Sequence, residues 1–143
     1  MNAETLNFYS ENDFQLREEA LYEAWIRRII ESENRKLEEI SYIFCDDEYL
    51  LEINQKYLDH DTYTDIISFD SCIGNILQGD IFISIERVSE NSAEYGVEFQ
   101  EELRRVMAHG ILHFCGYKDK SEEEQSLMRQ KEEEKMQMFH VEQ

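Results

Sequence analysis

His109 and His113 stand four residues apart, Gly116 follows three later, and Asp119 three after that. This spacing suits a metal. Side chains four apart on an α-helix point within about 40° of one another, so two imidazoles would share one face of a rigid scaffold. Glycine tolerates the left-handed conformation common just past a helix end. The short excursion over residues 116–120 can then bring a carboxylate back to the same point as a third ligand. Two ring nitrogens and one carboxylate oxygen can grip one metal and leave a position for water or substrate, and this donor set does not by itself fix which metal. His109, His113 and Asp119 are therefore the candidate metal ligands, and the two histidines the candidate catalytic groups.

A helix must carry the pair. Leu103, Val106, Met107, Ile111 and Phe114 form an apolar stripe predicting a helix from Phe99 to Cys115, ended by Gly116. The histidines lie beside that stripe, so both rings should face a partly covered cleft. Cys115, about 200° around the helix from His113, should point away into the core. Gly110 costs about 1 kcal/mol relative to alanine inside a helix. Its missing side chain would either open room beside the metal or let a strand pack close. Ser121 to Glu124 reads as a capping box that opens a last helix running to about Phe139.

Upstream, Thr5–Tyr9 reads as a short strand. Asn12 or Asp13 is a plausible cap for a helix to about Ser32, with Ala20, Leu21, Ala24, Trp25 and Ile29 on one face. Glu38–Cys45 alternates as a strand, with Ile40, Tyr42 and Phe44 opposite Ser41 and Ile43. Asp46 can cap a second helix bearing Leu50, Leu51, Ile53, Asn54 and Tyr57, followed by a polar connector from Leu58 to Tyr63. Thr64–Phe69 and Gly79–Ile85 read as strands on either side of a turn, and a short helix spans Glu86 to about Tyr95. These elements predict an α+β fold in which one mixed sheet of about four strands packs with about five helices, the metal-bearing helix near the C-terminus.

The 143 residues read as one domain, 1–143, with no proline, linker or repeat. No apolar run approaches the roughly 18–20 residues that span a bilayer, and no basic-then-apolar leader opens the chain. Three scattered cysteines argue for reduced thiols and a cytoplasmic protein without a membrane association. The formal net charge of −19 opposes diffuse electrostatic binding of nucleic acid. Function on RNA would need a local basic patch, a metal or a partner that delivers the substrate.

The spacing of His109, His113, Gly116 and Asp119 is similar to that of metzincin proteases, which place a glutamate base directly after the first histidine. Here that residue is Gly110, which argues against peptide hydrolysis. The chain more fully resembles the YbeY family of bacterial endoribonucleases, ribosomal-RNA maturation factors. His109-Gly-Ile-Leu-His113-Phe-Cys-Gly116-Tyr117 carries the likeness, with Asn54-Gln-Lys-Tyr57, Thr64-Asp65-Ile-Ile-Ser68-Phe69 and Gly79-Asp80-Ile81 upstream. The resemblance implies one zinc per chain at the end of the histidine-bearing helix. It also implies cleavage of single-stranded RNA in maturing the 3′ end of small-subunit ribosomal RNA, with ribosomes or small-subunit ribosomal proteins as partners.

The chain departs from the family pattern twice. Asp119 replaces a third histidine, lowering the net charge of a zinc-loaded site and weakening its Lewis acidity. Leu58 stands where the family carries an arginine suited to phosphate. Arg87, at the end of the Gly79–Ile85 strand, is the candidate substitute for substrate binding. The alternative to an enzyme is a ribosome-assembly binding factor with a structural metal.

Overall fold

A computed structural model describes residues 4–59 and 63–140. Strand β1 (Thr5–Ser10) leads through helix α1 (Glu19–Ser32) to β2 (Lys36–Cys45) and α2 (Asp47–Leu58). Strands β3 (Ile66–Asp70) and β4 (Ile76–Ser84) form a hairpin, and helices α3 (Ile85–Tyr95), α4 (Phe99–Phe114) and α5 (Glu122–Gln137) complete the fold. A short 3-10 turn at Met138–His140 follows.

The sheet order is β1-β2-β4-β3. The first two pairings are parallel, and β3 lies antiparallel on β4 as an edge strand. The expected four-stranded mixed sheet with five helices is what forms. No described helix is long and apolar enough to cross a membrane.

Alternation along the strands sorts side chains to two unequal cores. Ile40, Tyr42 and Phe44 of β2 register with Gly79, Ile81 and Ile83 of β4 and face the larger core, shared with α1 and α4. Cys45 and Ile67 face the other way, where Leu50 of α2 joins them as a buried partner, with Ile53, Phe69 and Phe82 partly buried against them. The helical layer is pinned to the sheet by Tyr42, wholly buried, whose hydroxyl donates to the Met107 carbonyl at 2.9 Å.

Several boundaries differ from expectation: β2 starts at Lys36, two residues early, and β3 runs Ile66–Asp70 in place of Thr64–Phe69. Helix α1 begins at Glu19, not beside Asn12. Phe14 and Leu16 are drawn into the core, Phe14 against Phe44 and Phe99, which holds residues 11–18 out of the helix. Asn12 instead accepts from the Phe14 amide and donates to Asp46. The buried face of α1 is Tyr22, Trp25, Ile26, Ile29 and Ile30, while Leu21 is 44% exposed. Trp25 belongs to both the expected and the observed face; fully buried, its indole donates to the Lys135 carbonyl at 2.7 Å. Strand β4 starts at Ile76 and ends at Ser84, leaving Ile85 in α3. Ser84 caps that helix, accepting from the Arg87 amide. Leu58 lies in the last turn of α2 instead of a connector, part of which (60–62) is outside the described residues.

Candidate metal centre

Helix α4 carries both histidines and is the most buried helix of the fold, with Gly110 facing the sheet. A Cβ at Gly110 would lie 3.0–3.2 Å from methyl carbons of Ile81 and Ile66. The glycine therefore serves close helix–sheet packing, the second of the two readings its position allowed. It sets α4 down on β3 and β4, turning His109 and His113 to the open side.

The helix ends as predicted from Gly116. Its amide donates to the His113 carbonyl (2.9 Å) and the Tyr117 amide to the Leu112 carbonyl (3.1 Å), the paired bonds of a Schellman motif. Gly116 has φ 102°, a conformation that side-chain-bearing residues rarely adopt. This turn aims the Tyr117 carbonyl back at the helix, where the His113 Nδ1–H donates to it at 2.9 Å. With Nδ1 protonated, the lone pair of His113 is on Nε2.

His109 is oriented by a different route. Its Nδ1 lies 2.7 Å from Glu132 Oε2 of α5, and the other oxygen of that carboxylate accepts from Arg105 at 3.1 Å. Donation from Nδ1–H to the carboxylate again leaves Nε2 as the free nitrogen. Burial disfavours the imidazolium of His109, but the Glu132 hydrogen bond and charge, with Asp119 and Asp65 nearby, hold its pKa above the usual value.

Both Nε2 atoms are 3.3 Å from the same oxygen, Asp119 Oδ2. Zinc bonded at roughly 2.0–2.1 Å in a tetrahedron separates its ligands by about 3.3–3.4 Å. The three groups thus fit one ion, and their ligand atoms all lie within 4.8 Å of one another. The sequence-predicted trio is brought together; Glu132 was not foreseen. The buried positions of α5, Met128, Glu132 and Lys135, have helical spacing but mix a charge of each sign with one methionine, so no apolar stripe marks them.

The Asp119 loop is fixed from behind. The Tyr117 hydroxyl donates to Glu33 at 2.9 Å, and Glu33 pairs at 2.8 Å with Lys135, which is 1% exposed. The Asp119 carbonyl accepts from Gln125, and the capping box of Ser121 and Glu124 starts α5 immediately afterwards.

The ligands open onto a cleft of about 760 Å³. One wall is α4 and α5, the other the end of α2 with Asn54 and Leu58, and edge strand β3 lies between. Its carboxylates are Asp65, Asp70, Glu102, Asp119 and Glu132, against the cations Arg105, Lys120 and Arg129. Burial pushes the Glu102 carboxyl up to about 6, opposed by Arg105. Burial likewise raises Asp65, opposed by His109. Arg87 is not among the lining residues. Its guanidinium bonds Asp47 at 2.8 Å and Glu90 at 3.2 Å, and lies 5.3 Å from the Tyr63 ring centroid. Cys115 is buried away from the ligands, as expected, and burial pushes its thiol up to about 12.

Fold and site together define a single-domain α+β protein in which two histidines and one carboxylate that could hold a metal ion converge at the wall of a cleft. Residues 7–140 match the family model described as endoribonuclease YbeY, and the chain belongs to that family. An endoribonuclease YbeY of Christiangramia forsetii is 65% identical over 138 residues, covering 96% of each chain. That of Flavobacterium psychrophilum is 59% identical, covering 96% of this chain and 99% of its own. The solution structure of a Thermotoga maritima protein has the same fold, with a TM-score of 0.68 at 23% identity over 94% of this chain and 89% of that one.

Proposed function

We propose that this chain is a zinc-dependent endoribonuclease that cleaves single-stranded RNA in the cytoplasm, acting in 3′ maturation of small-subunit ribosomal RNA. The observation that carries the reading is the convergence of His109, His113 and Asp119 at 3.3 Å on the wall of an open cleft, in a chain of the endoribonuclease YbeY family. One zinc held by these three groups would supply Lewis-acid polarisation of the scissile phosphodiester.

The chain's own residues do the rest. Glu132 and the Tyr117 carbonyl fix the tautomers of His109 and His113, so both present Nε2 without rearrangement. Lys120 and Arg129 are the cleft cations suited to phosphate; Arg87, the candidate from sequence, is engaged by Asp47 and Glu90. Glu102 and Asp65 hold protons more tightly than ordinary carboxyls and supply acid–base capacity in the cleft. Ribosomes or small-subunit ribosomal proteins would deliver the substrate, which suits a surface too acidic to gather RNA by itself.

Leu58 lining the cleft supports a second reading, a ribosome-assembly factor whose metal is structural. The deciding experiment incubates purified protein with single-stranded and duplex RNA, with and without chelator, beside elemental analysis. The enzyme predicts metal-dependent cleavage of the single strand, lost in His113→Ala with unchanged circular dichroism. Ribosome association with no metal-dependent cleavage would favour the binding factor.

A further inference from the structure

A net charge of −19 leaves the proposed RNA substrate little diffuse attraction, and the cleft does not reverse the balance. Arg105 is engaged by Glu132 and Glu133, and Arg129 lies 3.9 Å from Glu132, so the cleft cations meet carboxylates of the cleft itself, of which there are five. A contact that does not scale with charge would add affinity for RNA here. Stacking of an unpaired base on an aromatic ring is such a contact.

Tyr57 offers the ring. It lies in the last turn of α2 and is 60% exposed, yet it is anchored. Its ring meets Phe69 edge to face, with centroids 5.9 Å apart and planes at 82°. Phe69 meets Phe82 in the same way at 5.8 Å, and Tyr49 stacks on Phe82 at 6.4 Å. This aromatic ladder crosses the α2 face of the sheet, and Tyr57 is its outermost rung. Asn54 and Leu58, from the same turns of α2, line the cleft together with Ile67, which faces α2 as Phe69 does. The ring, itself outside that lining, adjoins through Leu58 and Ile67 the cleft whose far wall holds His109 and His113. Lys56 holds its ammonium over the ring, 5.4 Å from the centroid, so a base stacking on that face would displace it toward the adjoining phosphate.

We propose that Tyr57 is a base-stacking platform that holds one unpaired nucleotide of the RNA beside the metal cleft. The proposal rests on the endoribonuclease reading above. A base already stacked and paired in a duplex cannot take that place, so the platform contributes to selection of single strands. Because the contact is uncharged, RNA binding should depend on salt more weakly than in proteins bound mainly through phosphates.

The test uses the zinc-loaded full chain and single-stranded RNA oligonucleotides carrying 2-aminopurine, with binding read by stopped-flow fluorescence ahead of cleavage. Tyr57→Phe, Tyr57→Leu and Tyr57→Ala are compared after checking circular dichroism and zinc content. Tyr57→Phe should quench and bind as the parent does. Tyr57→Leu and Tyr57→Ala should bind about 5- to 100-fold more weakly, with KM rising and kcat little changed. An abasic site walked along the RNA should weaken the parent at one position and leave Tyr57→Ala indifferent there. Tyr57→Leu binding as well as the parent would overturn stacking in favour of simple apolar contact. Tyr57→Ala cleaving and binding as the parent does would overturn the platform alone. A parent chain that neither binds nor cleaves single-stranded RNA would remove both the platform and the function it rests on.

Discussion

Replacing Glu132 by glutamine tests the metal centre through a residue that is not itself a ligand. The carboxylate does two things at once: Oε2 accepts from His109 Nδ1 at 2.7 Å and Oε1 accepts from Arg105 at 3.1 Å. An amide of the same shape cannot do both. With its oxygen toward His109, its NH₂ faces the Arg105 guanidinium, donor against donor. With its oxygen toward Arg105, its NH₂ faces Nδ1 and stabilises the tautomer protonated on Nε2, which cannot bind metal. Loss of an outer partner to a ligating histidine typically costs 10- to 100-fold in metal affinity, about 1.4–2.7 kcal/mol. We expect Glu132→Gln to weaken zinc binding in that range, measured by competition with a chromophoric chelator at pH 8. Glu132→Asp should fall between the two, since the shorter side chain keeps the charge but loses reach. Zinc affinity of Glu132→Gln within twofold of the parent would refute the assigned orientation of His109.

Three further outcomes follow from other parts of the structure. Asp119→Ala should lower zinc content and Asp119→His should keep or raise it; equal zinc in all three proteins would remove Asp119 from the site. Glu102 has its carboxyl raised from 4.5 to about 6, so its contribution to stability is fully present below pH 4.5 and lost as pH rises through about 6. That difference amounts to about 2 kcal/mol, so Glu102→Gln should stabilise the protein by up to about that much at pH 8 and by nothing near pH 4. Urea titrations at the two pH values check it, and an equal effect at both would show that the charge is not the cause. Gly110→Val should destabilise by about 1–3 kcal/mol in the same assay, because the added methyls meet Ile81 and Ile66 on the sheet; an unchanged midpoint would mean that α4 has room to lift.

The elements and the ligand trio were legible because each leaves a local trace. His109, His113, Gly116 and Asp119 sit within one helix end and its turn, where spacing translates directly into geometry. The strands announced themselves by alternation, and Ser121 and Glu124 by their capping box. What lay hidden depends on contacts between distant segments. The start of α1 is delayed by Phe14 and Leu16 reaching the core. The buried face of α1 packs on distant segments, Trp25 donating to Lys135, 110 residues away. Glu132 sits in a run of glutamates where nothing distinguishes the one that turns inward. Glu33 and Lys135 anchor the ligand loop through Tyr117, a partnership no periodicity could announce.

The unequal filling of the two faces of the sheet gives the cleft one hard wall and one soft wall. The helices bearing the ligands are fastened by the larger core and by the Tyr42, Trp25 and Glu33 bonds. Helix α2 is held by a smaller core whose buried members among the described residues are Cys45, Leu50 and Ile67. Opening free energies follow the density of such contacts, so amides of α2 should exchange with deuterium well before those of α4. A bulky substrate would then be accommodated by yielding of the α2 side, while the spacing of the three metal-facing atoms stays as the sheet and α5 have set it.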